Sequence, residues 1–328
     1  MSRIHLTFAC GRYDRTAALR TGEVTVEGVD LNYVPIDSPR EIFDRMGGGL
    51  EFDAAEFSAS EFIGRMSAGD CPFVALPVFP SRVFRHGFIF INKHSGIRTP
   101  KDLEGKRIGV PLYTQTAAIW IRGLLAHQYN VDLKRVRWLQ GAVEKTGAHG
   151  KPHAPPLLQP VSVEENQTPH SLGELLARGE IDALIGSRKP EGRHPDVERL
   201  FPTFRAVEQE FYKKTNIFPI MHLVVIRESV YRENRWIAGS LYKALVEAKN
   251  FALARMRFSA AQCYMLPWQF ADLDEIDEIF HGDPWPYGIE TNRKTLEALV
   301  QYMVEQNFVA QPIPIEDLFV PLPGAVGK

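Results

Sequence analysis

The amino-acid sequence predicts a two-lobed α/β protein in which each lobe is a mixed, mostly parallel β-sheet flanked by helices. Strand and helix patterns alternate through the first hundred residues, and a second alternating unit begins near residue 99. A later apolar strand pattern then returns the chain towards the first unit. The chain has 328 residues, 45% of them hydrophobic, which suffices for two cores. We therefore expect a first lobe at 1–94 and 219–328 and a second lobe at 95–218.

The first unit consists of short strands separated by helices. A helix is predicted at 38–46, where Ser38 can cap its start and Pro39 fits its first turn. A continuous apolar run at 88–91 is typical of a strand that is buried on both faces. The other predicted elements of this unit are strands at 3–10, 30–36 and 52–57 and a helix at 60–66.

The second unit and the C-terminal part carry clear helix signals. Thr99 and Gly105 delimit a short helix, and Ser171 with Glu174 forms a capping box. The other predicted elements are strands at 107–110, 180–185 and 221–226, helices at 116–129, 172–178, 235–257, 272–280 and 291–306, and a long surface loop at 141–169 that is rich in Gly, Pro and His.

Composition excludes several classes of function. The 38 basic and 40 acidic residues give a net charge of −2, which argues against a nucleic-acid partner. No apolar run approaches the ~20 residues of a membrane helix, so no membrane partner is expected. Residues 3–10 alternate polar and apolar, unlike a secretory signal, and Cys10, Cys71 and Cys263 form no paired motif. A cytoplasmic location is therefore predicted.

Several segments resemble known proteins. Residues 102–110 (DLEGKRIGV) and 179–184 (GEIDAL) resemble the second lobe of type II periplasmic solute-binding proteins. Outside the 141–169 region, nearly the whole chain resembles the 4,5-dihydroxyphthalate decarboxylase family. The segments that carry this second resemblance are CGRYDRT at 10–16, FPSRVFRH at 79–86, PIMH at 219–222 and DPWPYGIETNR at 283–293.

The family resemblance implies an enzyme that converts 4,5-dihydroxyphthalate to protocatechuate and CO₂. The leading hypothesis is that it does so with no cofactor and no metal. The expected partner is a small aromatic carboxylate, and a homo-oligomer is compatible with the sequence. Two alternatives stay open. One is a non-catalytic cytoplasmic protein that binds a small aromatic carboxylate for a transporter or sensor. The other is a metal-assisted decarboxylase or hydrolase that uses His86, His222 and a carboxylate.

The predicted substrate site lies beyond the strand ends, because ligands of open α/β sheets bind outside the carboxyl ends of the strands. The planar fork of arginine matches a carboxylate, so Arg12, Arg82 and Arg85 are predicted to hold the two carboxylates of a phthalate. The alternative for each is a solvated arginine or one paired with a nearby acid such as Asp14. The further substrate-binding candidates are Tyr13, Ser58, Tyr113, Thr114, Gln115, Thr116, Arg188, Trp285 and Tyr287.

Some of these candidates have a second interpretation. Thr114 and Thr116 lie where a strand ends and a helix begins, so they serve either an anion site or a helix cap, or both. Trp285 and Tyr287 could stack on the substrate ring or anchor their loop by packing.

Loss of CO₂ from an aromatic ring requires a proton at the ring carbon that held it, and an imidazole is a suitable acid near neutral pH. His86 and His222 are therefore the predicted catalytic residues, with a histidine bonded within the core as the alternative. Glu56 could be a buried carboxylate, but a solvent-facing position in its strand is the expectation. Three loop histidines are expected to be solvated, namely His149, His153 and His170.

Overall fold

The computed structural model describes residues 3–322 and contains two β-sheets. None of the helices in this range is both long and apolar enough to cross a membrane. In chain order the strands are β1 (Ile4–Cys10), β2 (Val29–Pro35), β3 (Ala54–Ser58), β4 (Phe73–Arg82), β5 (Ile89–Asn92), β6 (Arg107–Val110), β7 (Arg137–Gln140), β8 (Val163–Glu165), β9 (Ala183–Ile185), β10 (Val197–Arg199) and β11 (Ile220–Arg227).

Helices flank both sheets, and short 3₁₀ turns connect several of the elements. The α-helices are α1 (Asp14–Thr21), α2 (Pro39–Gly49), α3 (Ala59–Ala68), α4 (Thr116–Tyr129), α5 (Leu172–Ala177), α6 (Phe204–Thr215), α7 (Glu228–Glu233), α8 (Trp236–Arg257), α9 (Gln269–Phe280) and α10 (Arg293–Glu305). The 3₁₀ turns lie at His86–Phe88, Pro100–Leu103, Leu133–Arg135, Glu290–Asn292 and Ile315–Leu318.

Each sheet is mixed and mostly parallel, as predicted. The first has the order β2-β1-β3-β11-β4, with β1 parallel to β2 and β3, and β11 antiparallel to both of its neighbours. The second has the order β10-β5-β9-β6-β7-β8, in which β6 to β9 are parallel and β5 and β10 are antiparallel to their partners. We call the parts of the chain around these sheets the first and second lobes. Because β5 pairs in the second sheet, the chain changes sheets between Arg82 and Ile89, ahead of residue 94.

The predicted elements are present, with ends that shift by a few residues. The strand β11 returns the chain to the first sheet, as its apolar pattern indicated. The 141–169 segment is not a continuous loop, because β8 lies within it. Strands of three or four residues carry no readable period, and α1 (DRTAALRT) has too few apolar residues for one. The elements that the sequence did not predict are α1, α6, α7, β4, β7, β8 and β10.

One continuous apolar core joins the two lobes. It includes Phe8 and Phe57 from the first sheet together with Ile108 and Trp138 from the second. The helices α4 and α10 pack so closely that a Cβ atom at Gly123 would lie 2.1 Å from the ring of Tyr302. The Trp120 indole on α4 donates to the carbonyl of Ile220 on β11, at 2.8 Å. The lobes are therefore held together by packing as well as by their chain connections.

Arg122 strengthens this junction from inside the core. Its side chain is fully buried and donates to Gln306 Oε1 (2.7 Å) and to the carbonyl of Tyr113 (2.8 Å). The guanidinium also lies 3.8 Å from the centre of the Tyr113 ring. Burial lowers the pKa of Arg122 to about 10, which leaves it protonated at neutral pH.

A candidate active site in the interlobe cleft

A cleft of about 260 Å³ lies between the lobes, at the carboxyl ends of β3 and β4 and the N-termini of α2, α3 and α4. Both lobes contribute to its walls. Eight of the predicted site residues line it, namely Tyr13, Ser58, Arg85, Thr114, Gln115, Thr116, Arg188 and His222.

The centre of the cleft wall is a buried pair formed by Glu56 and His222. Glu56 Oε1 lies 2.5 Å from His222 Nδ1 and accepts a hydrogen bond of 2.6 Å from the Tyr13 hydroxyl. Glu56 Oε2 accepts from the backbone N–H of Gly11 at 3.0 Å. The expectation that Glu56 faces solvent is wrong, since the residue is fully buried. The reason is that β3 is the central strand of the first sheet and all five of its residues are buried.

The electrostatics of this pair favour an ionised carboxylate. Burial opposes ionisation of Glu56, but the attraction of His222 and hydrogen bonds from His222, Tyr13 and Gly11 outweigh it, so the pKa of Glu56 lies below its ordinary value. Burial, followed by the nearby Glu56 charge, raises the pKa of Tyr13, which stays a neutral donor. Because Nδ1 is engaged, Nε2 is the His222 nitrogen that can face a molecule in the cleft. The edge of Phe43 packs against the imidazole and fixes its plane.

Arg85 brings an uncompensated positive charge to the same cleft. Its side chain is buried, and among the described residues neither Nε nor Nη1 has a hydrogen-bond partner. Burial lowers the pKa of Arg85 to about 9, against the attraction of Glu208, so the group remains a cation at neutral pH. Buried N–H donors are rarely left without acceptors. Arg85 is therefore a buried cation of the cleft wall with two donors that no described residue uses.

Two helix N-termini meet in the same cleft. Ser58 caps α3, and Thr116 opens α4 in the second lobe. Their hydroxyl oxygens lie 3.0 Å apart, and the Ser60 hydroxyl lies 2.9 Å from Thr116 Oγ1. The positive ends of the two helix dipoles make this corner favourable for an anion. Neither Thr114 nor Thr116 caps α4, whose N-cap is Gln115 with no side-chain hydrogen bond, so the cap interpretation of these two residues is wrong and their anion site stays a prediction.

Five polar residues of the cleft were not predicted as site residues, namely Arg40, Glu61, Ser81, His149 and Ser187. Arg40, at the start of α2, contacts Glu61 Oε2 (3.3 Å) and Asp44 Oδ1 (2.8 Å). Burial raises the pKa of Glu61 even though Arg40 opposes that shift. His149, expected to be solvated, lines the cleft instead, and so does Ser187. The signal for Arg40 was its place in the first turn of a predicted helix, but only the tertiary fold shows that this helix points at the cleft.

Three of the predicted substrate-binding residues lie outside the cleft. Arg12 is half-exposed and pairs with Asp37 at 2.9 Å, which agrees with its alternative interpretation. Arg82 is buried and donates to the carbonyl of Phe218 at 2.9 Å. Side chains alternate along β4, so Ser81 lines the cleft and Arg82 points to the other side. The ring of Tyr113 packs in the core of the second lobe.

The predicted histidine His86 and the two loop aromatics also lie outside the cleft. His86 is buried against Phe201 and Phe211, and burial lowers its pKa to about 4. The Trp285 indole donates to the carbonyl of Phe79 at 2.9 Å. Tyr287 is buried, and the centre of its ring lies 5.3 Å from Lys249 Nζ. These positions agree with the alternatives of a core histidine and of aromatics that anchor their loop. Within residues 3–322 there is no cluster of three or more His, Cys, Asp or Glu side chains that could hold a metal ion.

Comparisons with known proteins extend these observations. No family model matches the chain. A 4,5-dihydroxyphthalate decarboxylase from Comamonas testosteroni is 33% identical over 324 residues, which cover 98% of each chain. Another 4,5-dihydroxyphthalate decarboxylase, from Pseudomonas putida, is 38% identical over 216 residues, or 65% of this chain and 83% of the relative.

Solved structures give the fold. The periplasmic aliphatic sulphonate binding protein SsuA from Escherichia coli has a TM-score of 0.56 and 12% identity, covering 97% of this chain and 98% of its own. The periplasmic sulfonate-binding protein SsuA from Methylobacillus flagellatus has a TM-score of 0.52 and 13% identity, covering 98% and 93%. The predicted two-lobed, periplasmic-binding-protein-like fold is thereby confirmed.

Proposed function

This chain belongs to the 4,5-dihydroxyphthalate decarboxylase family, and we propose that it is a carboxy-lyase that converts 4,5-dihydroxyphthalate to protocatechuate and CO₂ in the interlobe cleft. The observation that supports this most directly is the pairing of two features in one cleft. Arg85 is a buried cation with free donors, and His222 is an imidazole backed by a buried carboxylate. The first suits a carboxylate that stays on the ring, and the second suits delivery of a proton.

Binding is proposed to use the positive end of the cleft. Arg85 would hold the retained carboxylate, and the N-termini of α3 and α4 beside Thr116 would add backbone donors and the positive ends of their dipoles. Arg188, whose guanidinium pairs with Glu144 at 3.1 Å, is more exposed and would attract the dianion towards the cleft. The bound ring would then lie between the lobes, with the leaving carboxylate towards His222.

The proton is proposed to come from His222. An imidazolium held at Nδ1 by Glu56 would transfer its Nε2 proton to the ring carbon that carries the leaving carboxylate. A C–H bond forms, the C–C bond to the carboxylate breaks, and its electron pair returns to the ring as neutral CO₂ departs. The hydroxyl para to that carboxylate donates electron density to the carbon that is protonated. The dianion and one proton thus yield a monoanion and CO₂, and solvent reloads the imidazole.

The test is product formation by the purified full-length chain. With 4,5-dihydroxyphthalate, we expect CO₂ and protocatechuate to appear in equal amounts, with the same rate in the presence of a chelator. Calorimetric binding of the substrate without product would support the non-catalytic binding protein instead. Loss of activity with chelator, restored by a divalent metal, would support the metal-assisted alternative.

A cytoplasmic location is part of this proposal. It is supported by the three cysteines, Cys10, Cys71 and Cys263, which lie in the described part of the chain and are all unpaired. Fractionation of cells that express the full chain tests it, and recovery of the enzyme from the periplasmic fraction would contradict it.

A further inference from the structure

Residues 147–155, here called the strap, leave the second lobe and cross over the first. The backbone N–H of His153 donates to Glu61 Oε1 at 3.2 Å, and that of Lys151 donates to Asp44 Oδ2 at 3.3 Å. Both acceptors belong to the first lobe, on α3 and α2. The same two carboxylates contact Arg40, which lines the cleft. One network thus holds the strap and a cation of the site.

Glycines of the first lobe provide the seat for the strap. The helix α2 ends in Gly47, Gly48 and Gly49, an unfavourable composition for a helix. A Cβ atom at Gly48 would lie 2.6 Å from His153 Nε2, and one at Gly47 would lie 3.5 Å from His153 Cβ. A Cβ atom at Gly49 would meet nothing within 4 Å. The space that Gly48 leaves open is therefore filled by His153 of the strap.

The strap also forms part of the cleft wall. His149 and Ala154 line the cleft, on the side where Arg40 and Glu61 lie. The remaining walls belong to lobes that are joined by the close packing of α4 on α10. The strap instead meets the first lobe through two backbone hydrogen bonds, the glycine seat and contacts of Gly150 with Arg40 and of Pro155 with Gly64, and several of its residues are exposed. Of the walls of the cleft, the strap is therefore the one whose displacement requires the least free energy.

We infer that the strap is a movable wall of the substrate site, and that Glu61 is a positioning residue that holds it over the cleft. This inference rests on the proposed function and extends it. When the strap is seated, it excludes water from the bound ring and keeps Arg40 directed into the cleft. When it is displaced, the cleft opens without separation of the lobes.

The matched pair Gly48→Leu and Gly49→Leu tests the seat. Both changes place the same side chain in the same helix, so a general effect on α2 acts on both. Leucine at 48 enters the space of His153, and leucine at 49 enters open space. We expect Gly48→Leu to raise KM for 4,5-dihydroxyphthalate about tenfold with kcat changed less than about threefold, since orientation and binding are lost rather than chemistry. Gly49→Leu should have the KM and kcat of the wild type. Equal KM values for the two variants would overturn the inference.

Hydrogen exchange tests the strap directly, including the case in which Gly48→Leu does not fold. Protocatechuate, the stable product, is the probe. We expect it to slow exchange of the amides in 147–155 in the wild type and in Gly49→Leu, but not in Glu61→Ala, where the acceptor for His153 is missing. Exchange in the strap that does not respond to protocatechuate in the wild type would refute the inference. Protection without any turnover would instead contradict the proposed function and leave the strap in place.

Discussion

Glu56 supports His222 without being available to a substrate. Its two oxygens accept from His222, the Tyr13 hydroxyl and the backbone N–H of Gly11, and the side chain has no exposed surface. A carboxylate in this position sets the orientation of the imidazole and leaves Nε2 as the nitrogen that faces the cleft. In the proposed reaction, His222 is the group that delivers the proton to the ring, and Glu56 is the group that positions His222.

Glu56→Gln tests this assignment. The amide keeps the volume of the side chain but removes the negative charge next to the imidazole. We expect kcat to fall about 100-fold, because the imidazole loses the carboxylate that orients it for proton transfer. Binding of protocatechuate should change less than about threefold, since Arg85 and the helix N-termini are untouched. Steady-state kinetics and calorimetry provide both values, and an unchanged kcat would contradict the role of Glu56.

We also expect the stability difference between the wild type and Glu56→Gln to depend on pH. The pKa of Glu56 is lowered in the folded chain, so its contribution to stability is fully present above the unfolded value of about 4.3 and is lost as pH falls through the folded value. The difference in Tm between the wild type and Glu56→Gln should therefore be largest near pH 7 and shrink as the pH approaches 4 and below. Thermal unfolding at several pH values measures it. A difference that stays constant with pH would show that the charge of Glu56 does not stabilise the fold.

Arg85 illustrates a trade between stability and binding. A buried guanidinium with free donors costs free energy in the empty protein. Arg85→Met should raise the free energy of unfolding by about 1–3 kcal/mol while raising KM at least tenfold, because the retained carboxylate loses its cation. Chemical denaturation and kinetics measure the two effects. Arg12→Met, at a surface position outside the cleft, should change the free energy of unfolding and KM only slightly. An Arg85→Met enzyme with the KM of the wild type would show that Arg85 does not bind the substrate.

Within single elements, local sequence predicted what local interactions decide. The Ser171–Glu174 capping box is present, and Thr99 donates to Asp102 at the start of its 3₁₀ turn. Which side chains of β4 and β11 face the cleft was not predictable in the same way. The register between these strands shifts on either side of His222, and such irregularities re-aim side chains. Arg82 was therefore assigned to the site although its side chain lies behind the sheet.

The α4–α10 contact makes a further prediction at this scale. Alanine at Gly123 would place its Cβ atom 2.1 Å from the Tyr302 ring, so the helices would have to separate. We expect Gly123→Ala to lower the free energy of unfolding by about 3 kcal/mol. Gly239→Ala, on α8 where the new Cβ atom meets nothing within 4 Å, should raise it by about 0.5–1 kcal/mol. Equal values for the two variants would argue against tight packing between these helices.

In the whole molecule, the site exists only because separate parts of the chain converge. Glu56 lies 166 residues from His222 in sequence, and Thr116 lies 58 from Ser58. The fold and the motifs that placed Tyr13 and Ser58 at strand ends were readable from the sequence, since the carboxyl ends of strands gather at one edge. His222 reaches the same edge from the amino-terminal end of β11, which is antiparallel to β3. Arg40, Glu61 and His149 were not, because their roles depend on how the strap crosses between the lobes. The burial of Glu56 likewise depends on β11 pairing with β3.

The account depends on a proton donor at His222 inside an anion-binding cleft. CO₂ release from 4,5-dihydroxyphthalate by the wild type and by His222→Asn, measured together with protocatechuate binding, tests this most directly. Asparagine can keep a hydrogen bond to Glu56 but has no proton to give the ring. We predict that the variant binds protocatechuate like the wild type and releases CO₂ about 100- to 10,000-fold more slowly. A variant that retains near wild-type turnover would contradict the account.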